Sequence, residues 1–349
     1  MGLLYAGGHG TRTKEYFMKN MKQTKTYVLM MALFMTISIG SAYAQNSEAD
    51  FKVTLTKDLT GVVINEYIGK ATTVRFPATI QGMPVREING FSEKHITSVV
   101  IPDSVTSIGH YAFSDSAALT SVTIPNSVTS IGDGAFQNCT ALKSIILPEG
   151  LTSIAAFSNC TALISVTIPK SVTSIGGFGG CTALKSIILP EGLTSIDDLT
   201  FRDCTALTSI VIPKSVTSIG GGAFEGSGLT SITWPGQVTT IKTGVNRYYR
   251  GMFGKCKNLQ TVVISEGVTT IEQIAFYGCT ALTSITLPST IQTIEDKVFS
   301  GCTALTTITI PESVKSISFR SSDDTFEGCG KLPLATQAVL RRLGYRGSF

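Results

Sequence analysis

Histidine, charge and long apolar runs are all scarce in this chain. Of three histidines in 349 residues, only His95 and His110 lie beyond the first 44 positions. Catalysis needs acid, base, nucleophile or metal groups that converge. Two histidines with no recurring Ser or Cys partner exclude the usual hydrolytic constellations, so no catalytic residue is assigned. Cys-x-x-Cys is absent and no His recurs beside the cysteines, which argues against a zinc site. The adjacent carboxylates Asp197-Asp198, Glu295-Asp296 and Asp323-Asp324 complete no calcium-loop spacing, so neither a metal nor a cofactor is expected.

Charged residues make up 15% of the chain, with a formal net charge of +4. That excess belongs to the N-terminus: residues 1–44 hold Arg12, Lys14, Lys19, Lys22, Lys25 and Glu15, and the remainder carries 23 basic and 23 acidic residues. A neutral body gives no support to nucleic-acid or anionic-membrane binding by bulk charge. The longest apolar run, Val28 to Ile39, is shorter than the roughly 20 residues that span a bilayer. With Lys19, Lys22 and Lys25 before it and Ala42-Tyr43-Ala44 after it, it reads as a secretory signal peptide over residues 18–44. Met18 is the more natural start, which makes residues 1–17 an over-called N-terminus. Gly7-Gly8-His9-Gly10 follows no strand and lacks the Lys-Ser/Thr ending of a phosphate loop.

What the chain has in abundance is repetition. An Ile-Pro marker, with Leu or Trp before the proline in some copies, returns at Pro102, Pro125, Pro148, Pro169, Pro190, Pro213 and Pro235, then as Ser265, then at Pro288 and Pro311. The intervals are 23, 23, 21, 21, 23, 22, 30, 23 and 23 residues. Such regularity marks one supersecondary unit copied in tandem, ten full copies after an imperfect one at Pro77. In the copy at 117–139, Leu119, Val122 and Ile124, then Val128 and Ile131, alternate with Thr and Ser. Two short β-strands are predicted, with Pro125 turning the corner between them.

A unit this small cannot offset its ordering entropy alone, so copies must stack into a shared core. Phe113, Phe136, Phe157, Phe178, Phe201, Phe224, Phe253, Phe276, Phe299 and Phe326 are expected to form one row, headed by Phe91. All eight cysteines stand three residues after a phenylalanine, with Ser116 and Ser227 in the same slot of two copies. A disulfide knot does not need one cysteine per repeat, so these are expected to be small buried thiols at a tight turn.

The pattern Leu-x-x-Ile-x-Ile-Pro-x-Ser-Val-Thr-Ser-Ile-Gly-x-x-Ala-Phe-x-x-Cys-x-x-Leu resembles the repeat of BspA-type leucine-rich-repeat proteins of bacterial surfaces over residues 91–332. The resemblance implies a mainly β, right-handed curved solenoid with two short parallel strands in each repeat of 21–23 residues. It also implies an adhesin-like role, since such arrays often bind host proteins or other bacteria. It supplies no catalytic residues.

The domain plan is therefore a leader, a β-hairpin cap with a degenerate first repeat over 45–91, the array over 92–331, and a helical cap over 332–349. The hairpin is read from alternation around a turn at Asp58 to Gly61. The outward rows, Thr106 through Thr269 on one strand and Thr123 through Thr309 on the other, suit a flat, weakly charged binding face. The 30-residue copy carries an insertion within 242–255 that places Arg247, Tyr248, Tyr249 and Arg250 together against bland neighbours, a candidate ligand contact since Arg and Tyr favour hot spots. The product expected is an exported protein, secreted or surface-associated with the periplasm as a third location. Its expected partners are host extracellular-matrix or other bacterial surface proteins; a self-associating envelope scaffold is the alternative.

Overall fold

The computed structural model describes residues 45–91, 95–243, 251–317 and 325–349. The predicted signal peptide and residues Arg247, Tyr248, Tyr249 and Arg250 lie outside them. One hydrophobic core runs from Phe51 to Tyr345, and residues 45–349 form one compact unit.

Its architecture is a mainly β solenoid of about ten turns with a single C-terminal helix. Most turns contribute one short strand to each of two parallel rows; the turn carrying Ile210 and Val211 has no first-row strand, and the first row divides there. The first row includes Ser144–Ile146, Ser165–Thr167 and Ser186–Ile188; Ser144 pairs with Ser165 and Ser165 with Ser186. The second includes Ser153–Ile154, Ser174–Ile175, Ser195–Ile196 and Ser218–Ile219 in equivalent register. Register between copies is one repeat of sequence, so every inward Ile or Val meets its counterpart and every outward Ser or Thr does the same. A one-residue slip would expose an entire row, which pins the pairing.

The aromatic row is present as predicted. From Phe113 to Phe326 consecutive ring centroids lie 5.2–6.0 Å apart, most pairs nearly coplanar. Trp234, the chain's one tryptophan, takes the place of an inward isoleucine. It packs edge-on against Phe253 and donates its indole N–H to the Val238 carbonyl at 3.0 Å.

Both array ends are closed by aromatic packing and by paired edges. At the N-terminus β1 (Phe51–Leu55) and β2 (Val62–Tyr67) form the expected antiparallel hairpin. Thr56 and Thr60 hydroxyls donate to the Asp58 carboxylate within its turn, holding the Asp58 pKa down at about 2. β2 then leads the second row by pairing in parallel with β5 (Met83–Ile88). β3 (Thr73–Arg75) heads the first row, and its edge is met by Asn46, which accepts from and donates to Arg75. The extra residues of the degenerate repeat are a two-strand ribbon, β4 (Thr79–Ile80) turning back on β5. Phe51, Tyr67 and Phe76 extend the ring stack beyond Phe91.

At the C-terminus α1 (Leu334–Arg342) is the expected helical cap, but only Leu340 of it is buried, while Leu334 stays 81% exposed. The seal comes from Tyr345, edge-on to Phe326 at 5.6 Å, and from Phe349 behind it. Arg341 lies over both rings, 5.4 and 4.7 Å from their centroids.

Candidate functional site

Surface chemistry here is easiest to see by asking which conspicuous side chains the scaffold already uses. The cysteine slot is one. The residue before it sits in the left-handed region: Asp115, Asn138, Asn159 and Asp203 have φ of 55–61°, and Gly180, Gly226, Gly278, Gly301 and Gly328 follow suit at 66–79°. Short polar residues and glycine tolerate this conformation best. The resulting tight turn aims each thiol back into the core. All eight cysteines donate S–H to the carbonyl of the phenylalanine one repeat earlier, at 3.0–3.3 Å. Ser116 does the same to Phe91 at 3.3 Å. None is disulfide-bonded, and burial pushes the thiols up, to about 12 for Cys139, Cys181 and Cys329 and about 11 for Cys256. A nucleophilic or metal-binding cysteine is the opposite, a lowered pKa with access to solvent.

The second-row threonine ladder, one of the two outward rows expected to suit a binding face, also ties rungs together. On the second row Thr106, Thr173, Thr194, Thr217 and Thr269 donate their hydroxyls to a carbonyl of the preceding repeat at 2.9–3.5 Å. Thr97, Thr120, Thr230, Thr283 and Thr306 do so at the start of the first row. Thr140, Thr182, Thr205 and Thr303 repeat the bond after the cysteine. Thr is selected here because a β-branched residue with a hydroxyl both fits a strand and ties one rung to the next. Asn138 and Asn159 form a similar ladder, Asn159 donating to Asn138 and Asn138 to Asp115.

What remains outward and uncommitted is the line Thr123, Ile146, Thr167, Ile188, Val211, Thr233, Val263 on the first row. Ile146, Ile188 and Val211 are 58%, 65% and 64% exposed. Ile164, three residues before Thr167 of that line, is exposed as well. The sequence placed this row outward, and the exposure of its aliphatic members agrees with that reading.

The insertion leaves the scaffold after the second-row strand Thr240–Ile241. Its near end is fixed where Thr243 donates both its backbone N–H and its hydroxyl to the Glu272 carboxylate. Its far end is fixed at Gly251, where a Cβ would lie 1.8 Å from the Ile274 carbonyl oxygen, so only glycine passes. The described ends of the insertion, Thr243 and Gly251, thus lie between the second-row strand and the phenylalanine turn.

One open hollow of about 890 Å³ lies between the N-terminal hairpin and the first turns, lined by Thr54, Asn65, Arg86, Glu87, Asn89 and Thr106. It brings together no nucleophile and base. Among the described residues there is no group of three or more His, Cys, Asp or Glu able to hold a metal ion, and no helix is long and apolar enough to cross a membrane.

Two stacked parallel rows, a phenylalanine spine and a corner after the first strand, proline in all full copies but the one with Ser265, define a leucine-rich-repeat solenoid. The chain belongs to the BspA-type leucine-rich-repeat family: the model of that region, described with six copies, matches residues 87–178, 155–249 and 246–336. Among solved structures it is similar to a leucine-rich cell surface protein of Faecalibacterium prausnitzii, with 28% identity and a TM-score of 0.55 over 84% of this chain and 88% of that one. It is also similar to a leucine-rich-repeat protein of Bacteroides ovatus, with 26% identity and a TM-score of 0.50 over 83% and 93% of the two chains. No curated protein matches it.

Proposed function

We propose that this chain is a non-catalytic, adhesin-like binding protein, exported by the signal peptide at 18–44 and displayed at the cell surface or secreted. The observation that supports this most is the division of labour among its side chains. Cysteine, phenylalanine and most threonine ladders are spent on holding rungs together, whereas the aliphatic side chains of the outward first row stay exposed. At about 4.8 Å per rung, ten turns offer a face about 45 to 50 Å long, which suits a macromolecule held by many contacts. The related surface protein of F. prausnitzii supports the location.

Within this reading the insertion supplies the hot spot, with Arg247, Tyr248, Tyr249 and Arg250 contacting a protein ligand of the host matrix or of another bacterium. The test is capture of such proteins by residues 45–349, together with labelling of intact cells. Alanine at all four positions should abolish capture without altering the far-UV spectrum. Capture that is unchanged in that variant would remove the loop from the contact, and absence of both capture and surface labelling would end the adhesin reading.

A further inference from the structure

The exposed first row carries a charge pattern that fits itself. On the rung of Ile146, exposed Lys143 stands three residues before the outward aliphatic and exposed Glu149 three residues after it; on the rung of Ile188 the same positions hold Lys185 and Glu191. The rungs between and beyond have Ile164 with Lys170 and Thr208 with Lys214. Each face thus has lysine on its leading margin only where glutamate stands on the trailing margin. Glu149 and Glu191 remain exposed, although Glu149 also accepts the backbone N–H of Lys170 at 3.3 Å.

We propose that this face binds a second copy of the same chain, with a twofold axis running along the solenoid. Such an axis keeps rung opposite rung and exchanges leading for trailing margins. Lys143 then faces Glu149 of the second copy, and Lys185 faces Glu191. The remaining lysines, Lys170 and Lys214, fall opposite Ile164 and Thr208, so no like charges meet. The perpendicular twofold, across the rungs, would set the lysine margins against each other and is disfavoured by that charge.

Between the margins Ile146, Thr167, Ile188, Val211, Thr233 and Val263 make one apolar line about 24 Å long on a face about 20 Å across. Two copies would cover about 1,000 Å² in all, near the lower bound for a specific interface. The pairing should therefore be reversible, with a dissociation constant on the order of 10 to 100 µM. It uses the first row, whereas the insertion is rooted beyond the second, so this inference does not rest on the loop's role.

Sedimentation of residues 45–349 from about 5 to 500 µM tests it, a range that brackets the affinity expected for so small a contact. The wild-type chain should shift from monomer to dimer, and Ile188→Asp should weaken the association by at least about tenfold. K143E/K185E places glutamate against glutamate and E149K/E191K lysine against lysine, so each alone should stay monomeric. An equimolar mixture of the two should dimerise, because each margin then meets its opposite. A wild-type chain that stays monomeric throughout, a dimer indifferent to Ile188→Asp, or a mixture no more associated than its components would overturn the proposal. Circular dichroism identical to wild type assigns each loss to the surface and not to folding.

Discussion

Replacing Phe201 by Ala in the middle of the array removes one ring from a continuous spine. Phe201 is fully buried, with ring centroids 6.0 Å from Phe178 and 5.6 Å from Phe224. Truncation forfeits the transfer energy of the ring and leaves a cavity between two rungs that cannot close. The strands on either side are held in register by Ser174 with Ser195 and Ser195 with Ser218. The expected loss is about 3 to 5 kcal/mol. Because a solenoid's stability is a sum of neighbouring interfaces, the damage should also divide the array at that rung. Trp234 lies C-terminal to the break, edge-on to Phe253, and as the single tryptophan it reports only on that half. Urea unfolding followed by Trp fluorescence and by far-UV circular dichroism should coincide in the wild type and separate in Phe201→Ala. A loss under about 1 kcal/mol with coincident transitions would refute the shared core, since that is the size expected of a surface substitution.

Native protein should react with essentially none of its thiols at pH 8, whereas urea should release all eight to a thiol reagent. Burial raises the folded-state pKa of these cysteines, so the stability they contribute is present below the unfolded value near 8.5 and is lost as pH climbs toward about 12. The urea midpoint should accordingly fall across that alkaline interval and do so less after Cys329→Ser, which retains the donor that Ser116 uses. Ile274 holds φ of 55°, a left-handed conformation that a β-branched side chain adopts at a cost, so Ile274→Asn should raise stability by about 0.5 to 1 kcal/mol in the same denaturation assay. Arg341→Ala removes the cation from over Tyr345 and Phe349 and the bond to the Tyr345 carbonyl; it should cost about 1 kcal/mol and speed amide exchange in α1 first.

The parts of the fold legible in sequence are those repeated often enough to average out local ambiguity. A lone Val-Thr-Ser-Ile could be strand or loop, but ten in register with a phenylalanine and a cysteine could only stack, and Phe113 to Phe326 did so through two shortened copies and one lengthened copy. The closures were less legible because each occurs once. Asn46 covering the β3 edge and Arg341 covering Tyr345 have no periodic partner to announce them. The leading Thr of each Thr-Ser-Ile was legible as outward but not as engaged, because a hydroxyl's partner is set by the neighbouring rung 21 to 30 residues away. The C-terminal helix was legible as an element, but that Leu334 and Leu343 at its ends stay exposed was not.

That engagement changes where specificity can reside. A hydroxyl already donating to a carbonyl of the rung below offers a ligand only its lone pairs, and it is the same in most copies, so it gives a partner no register. Departures from the consensus do give register. Ile146 and Ile188 stand in the outward slot that Thr123 and Thr167 fill in the copies before them, and Lys143, Glu149, Lys185 and Glu191 occur in those same two copies. An apolar residue exposed on a strand gains nothing from solvent, and its repetition on alternate rungs together with opposite charges on both margins defines position along an otherwise uniform surface. A partner sliding by one rung would set Lys143 against Lys170 and Ile146 against Thr167, losing its ion pairs and half its aliphatic contact together. The uniform rungs therefore supply stiffness and length, and the two exceptional copies supply the alignment that a specific contact requires.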